Sequence, residues 1–331
     1  MIPPVQVDAT ELLIVLLLAY VLDLVFNEPP ASVHPVVWMG RLISFFRKNA
    51  PDAHRKLYGI FMGLCTILFG ATLAYIVLYF MGMEIVPSPL RYLVAAYFLK
   101  ATFAIRCLYE AANEVRAELD AGKLDDARYK LSMYVSRDTS ALDEGHVSSA
   151  IIETTSENYV DGILSPLLFY ACFGPLGLIA AYVFKATSTL DSMVGYKDER
   201  HREIGWFSAR LDDVLNWVPA RLSVLFIYAA TLIIRLLCRG SKKVDPGCAL
   251  KSGFAEGLKT PSPNSGYPMA SVAGALRVKL EKPNTYVLGR EFTYPVSEDI
   301  KTTSWIILIA SLFAIIISSF IILIWSIQTL I

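Results

Sequence analysis

With 331 residues, of which 55% are hydrophobic and 18% charged, and with a positive mean hydropathy, the chain is too apolar for an ordinary soluble domain. Lys plus Arg and Asp plus Glu both number 30, so net charge offers no attraction for nucleic acid, and no nucleic-acid partner is expected. The five cysteines, Cys65, Cys107, Cys172, Cys238 and Cys248, form no CxxC pair and have no histidine at metal-ligand spacing, so free thiols are expected.

The first apolar segment covers residues 10–26. Its leading charges, Asp8 and Glu11, are acidic, so it lacks the basic start of a secretory signal and is expected to remain as an anchor. Pro29-Pro30, His34-Pro35 and Gly40-Arg41 then mark an ordered turn, where a lone histidine is more often structural than catalytic. Residues 58–83 and 304–327 carry no charge and exceed the ~20 residues that cross a hydrocarbon core, so both are expected to span. Residues 89–108 include Lys100 and Arg106, which a span tolerates near an interface or inside a bundle.

Residues 163–184 are uncharged but interrupted by Gly174-Pro175-Leu176-Gly177, which kinks a helix or turns it back. Residues 217–237 hold 13 consecutive uncharged positions, 222–234, between Arg221 and Arg235, short for a span unless the arginines snorkel. The fold class is therefore an all-α integral membrane protein, a single polytopic domain with about four to six membrane helices, two of them able to re-enter.

Arg41, Arg47, Lys48, Arg55 and Lys56 place residues 41–57 in the cytoplasm by the positive-inside rule. The polar stretches 109–162, 185–216 and 239–303 are read as motif-bearing loops. A simple crossing at 163–184 would export Lys185, Lys197, Arg200, Arg202 and Arg210. If 163–184 and 217–237 both dip in and return, four true spans remain and every charged loop is cytoplasmic.

His146, Ser149, Glu153, Glu157 and Asp161 fall at steps of three or four, which makes one polar stripe on a helix. Its carboxylates repel one another unless a cation sits among them, a common way of holding Mg²⁺; an ordinary solvated helix face is the alternative. Asp212, Asp213 and Asn216 offer oxygen ligands to a hard cation, or cap a helix. Pro261-Ser-Pro-Asn-Ser-Gly-Tyr-Pro268 is a run of turn residues able to cradle a phosphate, though a plain surface loop is the commoner outcome. No GxxxxGK[ST], GxGxxG, HExxH or GxSxG occurs, so any ATP is held without a P-loop.

Several of these stretches together resemble the CobD/CbiB family of cobalamin biosynthesis, the membrane-bound adenosylcobinamide-phosphate synthases. The resemblance runs over nearly the whole chain. It is carried by Asp23 through Arg41 with His34-Pro35-Val36, by Ser136-Arg137-Asp138-Thr139, and by Glu153-Thr-Thr-Ser-Glu157-Asn158-Tyr-Val-Asp161-Gly162. It continues in Lys185, Thr189-Leu190-Asp191-Ser192-Met193-Val194-Gly195-Tyr196, Arg210-Leu211-Asp212-Asp213, Pro219-Ala220-Arg221 and Pro263-Asn264-Ser265-Gly266-Tyr267-Pro268. Phe26-Asn27-Glu28-Pro29 stands where relatives carry a Gly-Asp-Pro turn, so that turn's role does not transfer.

The resemblance implies an acid–amine ligase that joins a propionate carboxylate of adenosylcobyric acid to the amine of an aminoalcohol phosphate, aminopropanol phosphate in many organisms. ATP and Mg²⁺ would drive it in the cell membrane, beside later corrinoid-pathway enzymes. On this reading Glu153, Glu157 and Asp191 do base work, and Asp161, Asp212 and Asp213 hold metal. Arg137, Lys185 and Arg221 take phosphates, while Asn158, Asn264 and Ser265 hydrogen-bond substrate. Rival readings are a transporter, a Mg²⁺-dependent polyprenyl-phosphate transferase suggested by Asp212-Asp213-Val-Leu-Asn216, and a non-catalytic membrane sensor.

Overall fold

Asp8 starts the first helix, α1 (Ala9–Val25): its carboxylate accepts the Glu11 N–H while Glu11 reaches back to the Asp8 N–H, satisfying two orphan amides. This computed structural model describes residues 7–26, 28–195, 202–237 and 244–328. Asn27, Tyr196, Lys197, Arg200 and Cys238 lie outside the described residues. His34 caps α2 (Pro35–Lys48) through Nδ1, which accepts the Val36 N–H at 3.2 Å, and Pro35 takes the first helical position where its missing N–H costs nothing. There follow α3 (Arg55–Met81), α4 (Ser88–Lys100), α5 (Ile105–Asp120), α6 (Leu124–Ser132) and α7 (Glu144–Tyr159). A π-helical turn, Val160–Leu164, leads into α8 (Ser165–Cys172), a 3₁₀ turn at Gly174–Leu176, α9 (Gly177–Val194) and α10 (Trp206–Leu215). The chain continues as α11 (Trp217–Leu237), α12 (Pro246–Glu256), α13 (Gly266–Leu276), strands β1 (Leu280–Lys282) and β2 (Tyr286–Leu288), and α14 (Ser297–Gln328).

The all-α membrane character stands. Arg55–Met81, Trp217–Leu237 and Ser297–Trp325 are long and apolar enough to cross a membrane, and α4 with α5 make a fourth if taken as one broken span. Residues 89–108 are thus not one helix. The break falls after Lys100, whose buried ammonium is held 2.5 Å from Glu28 and 3.6 Å from Asp23.

The polar stretches between the apolar helices are themselves largely helical. Residues 109–162 are mostly α5, α6 and α7; residues 185–216 hold the end of α9 and all of α10; residues 239–303 hold α12, α13, the strands and the start of α14. In α5, α6 and α10 the polarity marks amphipathic helices with one face packed.

The chain divides into two compact units. The first comprises Met1–Ala104, Ser165–Leu215 and Ile315–Ile331. Within it the chain reverses at the Gly-Pro interruption: Phe169 of α8 stacks on Phe184 of α9 with ring centroids 5.2 Å apart. Gly174 has φ +52, a conformation that favours glycine. Buried tyrosines spend their hydroxyls on backbone carbonyls, Tyr170 on Leu12 at 3.0 Å and Tyr182 on Phe98 at 2.9 Å. Ile43, Met62, Leu190, Val194 and Ile204 form a core cluster linking α2, α3, α9 and the approach to α10.

The second unit comprises Ile105–Leu164 and Asn216–Ala314. Every residue of α13 is buried, so this helix is its core. A dip and return within 217–237 does not occur, because α11 is one unbroken helix of 21 residues. The return is made by α12 instead. A methyl group at Gly253 would lie 2.7 Å from Val224, and Asn264 comes back to Arg221 in the first turns of α11. The hairpin is antiparallel with Leu280 opposite Leu288 and Lys282 opposite Tyr286, and Asn284 takes φ +59 in its turn.

Candidate functional site

In the second unit, Asp143 caps α7 by accepting the His146 N–H at 2.9 Å, which fixes where the polar stripe begins. The stripe is helical as its spacing predicts. Two turns in, Glu153 is 1% exposed, with Oε1 accepting Ser149 Oγ at 2.7 Å and Oε2 accepting Arg137 Nη2 at 2.5 Å and the Tyr286 hydroxyl at 2.9 Å. The Glu281 N–H of β1 donates to Ser149 Oγ at 2.8 Å, so the hairpin clasps α7 at this point. Burial disfavours the Arg137 charge, but Glu153 outweighs it and holds the guanidinium protonated. Burial, then the Glu153 charge, pushes the Tyr286 phenol well up, so it stays an O–H donor. Glu153 thus anchors an arginine rather than offering free lone pairs.

Further along α7, Glu157 is half-buried and Asn158 exposed, its Nδ2 donating to Thr154 O at 2.9 Å. Asp161 and Gly162 lie in the π turn, where the extra residue breaks the three-and-four spacing, and a methyl group at Gly162 would meet nothing within 4 Å.

Arg221 is gripped on both faces. Its guanidinium carbon lies 4.3 Å from the Trp217 ring centroid and 4.4 Å from that of Tyr267, and Nη1 donates to Trp217 O at 2.7 Å and Asn264 Oδ1 at 3.1 Å. Asn264 is 5% exposed, and Ser265 beside it has Oγ 3.2 Å from Thr260 Oγ1. A guanidinium held flat in this way is pre-organised for an anion.

The first unit holds the other members. Asp191, near the end of α9, has its carboxyl pushed up to about 6 by burial and then by the charge of Asp213 on α10. Gly195 makes room for it: a methyl group there would lie 1.9 Å from Asp191 Oδ1. Asp212 and Asp213 are half-buried on α10, and Lys185 is half-buried on α9. Among the described residues no three His, Cys, Asp or Glu side chains gather as a metal-ion cluster. The pair Asp191 and Asp213 nonetheless suits Mg²⁺, which takes one or two carboxylates and fills its shell with water and substrate phosphates.

The structure therefore joins Arg137 to Glu153, Arg221 to Asn264, and Asp191 to Asp213. Sequence reasoning missed Tyr286, Trp217 and Tyr267. The available signal for Tyr286 was Lys282-Pro283-Asn284-Thr285, turn residues between Leu280-Glu281 and Tyr286-Val287-Leu288. It missed also Tyr294, whose hydroxyl donates to Glu281 and lies 3.1 Å from His146 Nε2.

The CobD/Cbib protein family model matches residues 16–316. The chain belongs to this family. A "probable cobalamin biosynthesis protein CobD" of Methanothermobacter thermautotrophicus is 41% identical over 275 residues, 83% of this chain and 86% of that protein. The "cobalamin biosynthesis protein CobD" of Klebsiella pneumoniae subsp. pneumoniae is 42% identical over 273 residues, 81% of this chain and 82% of its own length. A "probable cobalamin biosynthesis protein CobD" of Methanothrix thermoacetophila is 40% identical over 298 residues, covering 87% and 90% of the two chains. No solved structure matches. All the side chains paired above lie within the span matched to the CobD/Cbib family.

Proposed function

We propose that the chain is a biosynthetic enzyme of cobalamin formation, an ATP-dependent ligase joining adenosylcobyric acid to an aminoalcohol phosphate. The observation that carries the reading is the pairing of Asp191 with Asp213: a carboxyl raised to about 6 by burial and then by a second carboxylate is a donor set that a Mg²⁺–nucleotide would relieve. Bound Mg²⁺ would neutralise phosphate charge, with Asp191 and Asp213 holding it and Asp212, adjacent to Asp213 in sequence, as a further oxygen donor.

A free carboxylate is a poor acyl donor, so its oxygen must first take the terminal phosphoryl group of ATP, giving an acyl phosphate and releasing ADP. Phosphate is then released as the amine nitrogen forms the amide bond. Arg221, clamped by Trp217, Tyr267 and Asn264, binds a phosphate through its free edge, with Ser265 beside it. Arg137, aimed by Glu153 and Tyr286, stabilises negative charge on the acyl group, and Lys185 takes a nucleotide phosphate. Glu157 accepts the proton that the attacking ammonium must lose, and Asn158 hydrogen-bonds the corrinoid. Glu153 acts here as a positioning residue. Conversion takes place on the cytoplasmic side, where ATP is available.

Purified protein in detergent, given adenosylcobyric acid, aminopropanol phosphate, ATP and Mg²⁺, should yield the amide adduct by mass spectrometry. One ATP should be consumed per adduct, and EDTA should abolish product. Product formed without nucleotide, or no corrinoid binding, would overturn the ligase reading.

A further inference from the structure

The exposed face of α3 is a continuous apolar stripe. Leu57, Phe61, Leu64 and Leu68 are 66%, 55%, 54% and 66% exposed at steps of four, three and four, and Ile76 and Tyr79 continue the line. On a helix long enough to cross a membrane this face meets lipid acyl chains. At its first-turn end the chemistry changes abruptly. Lys56 Nζ lies 3.8 Å above the Trp206 ring, and the last turn of α2 delivers Arg47 and Lys48, both exposed. That turn is fixed against α3: Tyr58 donates to Phe46 O at 2.9 Å, and the Phe46 and Phe61 rings pack edge to face at 5.8 Å. Among the described residues neither Asp52 nor Glu203 forms an ion pair with Arg47, Lys48 or Lys56.

Cations without a counter-charge among the described residues, amphipathic aromatic rings and an acyl-facing stripe therefore meet in one corner of the first unit. We propose that this corner binds an anionic phospholipid, its headgroup phosphate among Arg47, Lys48 and Lys56 and its acyl chains along Leu57, Phe61, Leu64 and Leu68. The stripe is what selects a lipid over a free phosphate, since a soluble anion gains nothing from it. Trp206 holds Lys56 at the interface through its ring face, which keeps the ammonium at headgroup depth. None of these side chains belongs to the site described above.

Native mass spectrometry of the detergent-solubilised protein, titrated with phosphatidylglycerol or phosphatidylcholine of identical acyl chains, tests this. Phosphatidylglycerol should be retained preferentially, and Lys56→Gln, Lys48→Gln and Arg47→Gln should each weaken it about fivefold. Lys56→Arg, and Lys251→Gln in the second unit, should leave retention unchanged, which separates charge recognition from misfolding. Equal retention of the two lipids, retention unchanged in the triple Gln variant, or displacement by millimolar glycerol 3-phosphate would overturn the proposal.

Discussion

Glu153 shows what a buried carboxylate requires. Left alone at 1% exposure it would cost several kcal/mol, and its three donors, Ser149, Arg137 and Tyr286, remove that penalty by occupying both oxygens. Asp191 is built the other way: among the described residues it meets burial and a like charge. Its carboxyl is raised to about 6, above the ~3.9 of an unfolded chain. A carboxyl raised on folding stabilises the fold fully below the unfolded value, and that contribution is lost as pH rises through the folded one. Without divalent cations, the Tm in detergent should therefore fall between about pH 4 and pH 6.5 by more in wild type than in Asp191→Asn. Adding Mg²⁺ at neutral pH should raise the wild-type Tm and leave the variant's nearly fixed. Identical pH profiles for the two proteins would show that neither burial nor Asp213 raises the Asp191 carboxyl.

Elements place these side chains by close backbone contact. Gly266 opens α13, and a methyl group there would lie 2.3 Å from the Gly257 carbonyl oxygen and 3.0 Å from Thr260 Oγ1. Gly266→Ala should thus part α12 from α13 and destabilise by about 1–3 kcal/mol, an overpacking cost, while Gly162→Ala meets open space and should keep the wild-type Tm. Thermal unfolding of both variants decides it, and equal losses would show that α13 does not rest on this contact. The sequence made the apolar helices legible because uncharged runs such as 58–83 and 304–327 have few alternatives. It hid α5, α6, α10 and α12, whose charges lie on one face while the other packs, so polarity read as loop. The α7 stripe was legible from its period. The Glu153–Tyr286 contact was not, because it joins positions 133 apart through a short hairpin, and nothing local encodes such a pairing.

At the scale of the whole molecule the question is which face of the membrane holds the motifs. Residues 41–57 carry five cations against the single carboxylate Asp52, and residues 239–303 carry ten Lys and Arg. If α3, one uninterrupted helix long and apolar enough to span, crosses the membrane, Gly82–Pro87 lie on the face opposite 41–57. The unbroken α11 would by itself export residues 239–303, against the charge rule. The return of α12 along α11 seats Asn264 on Arg221, at the level where α11 began, so the charge rule is met if the chain from Asn264 on stays on that side. Single cysteines on a cysteine-free background give the test. Cysteine at Lys48, Lys130 or Lys259 should stay unlabelled by an impermeant thiol reagent applied to intact cells. Cysteine at Ile85, which is 92% exposed between α3 and α4, should react. Labelling at Lys259 but not at Lys130 would mean that α11 carries the chain across for good. The Arg221–Asn264 pair would then lie within the bilayer's width instead of at a cytoplasmic surface, and a soluble nucleotide could not reach it from the side where the other motifs are charged.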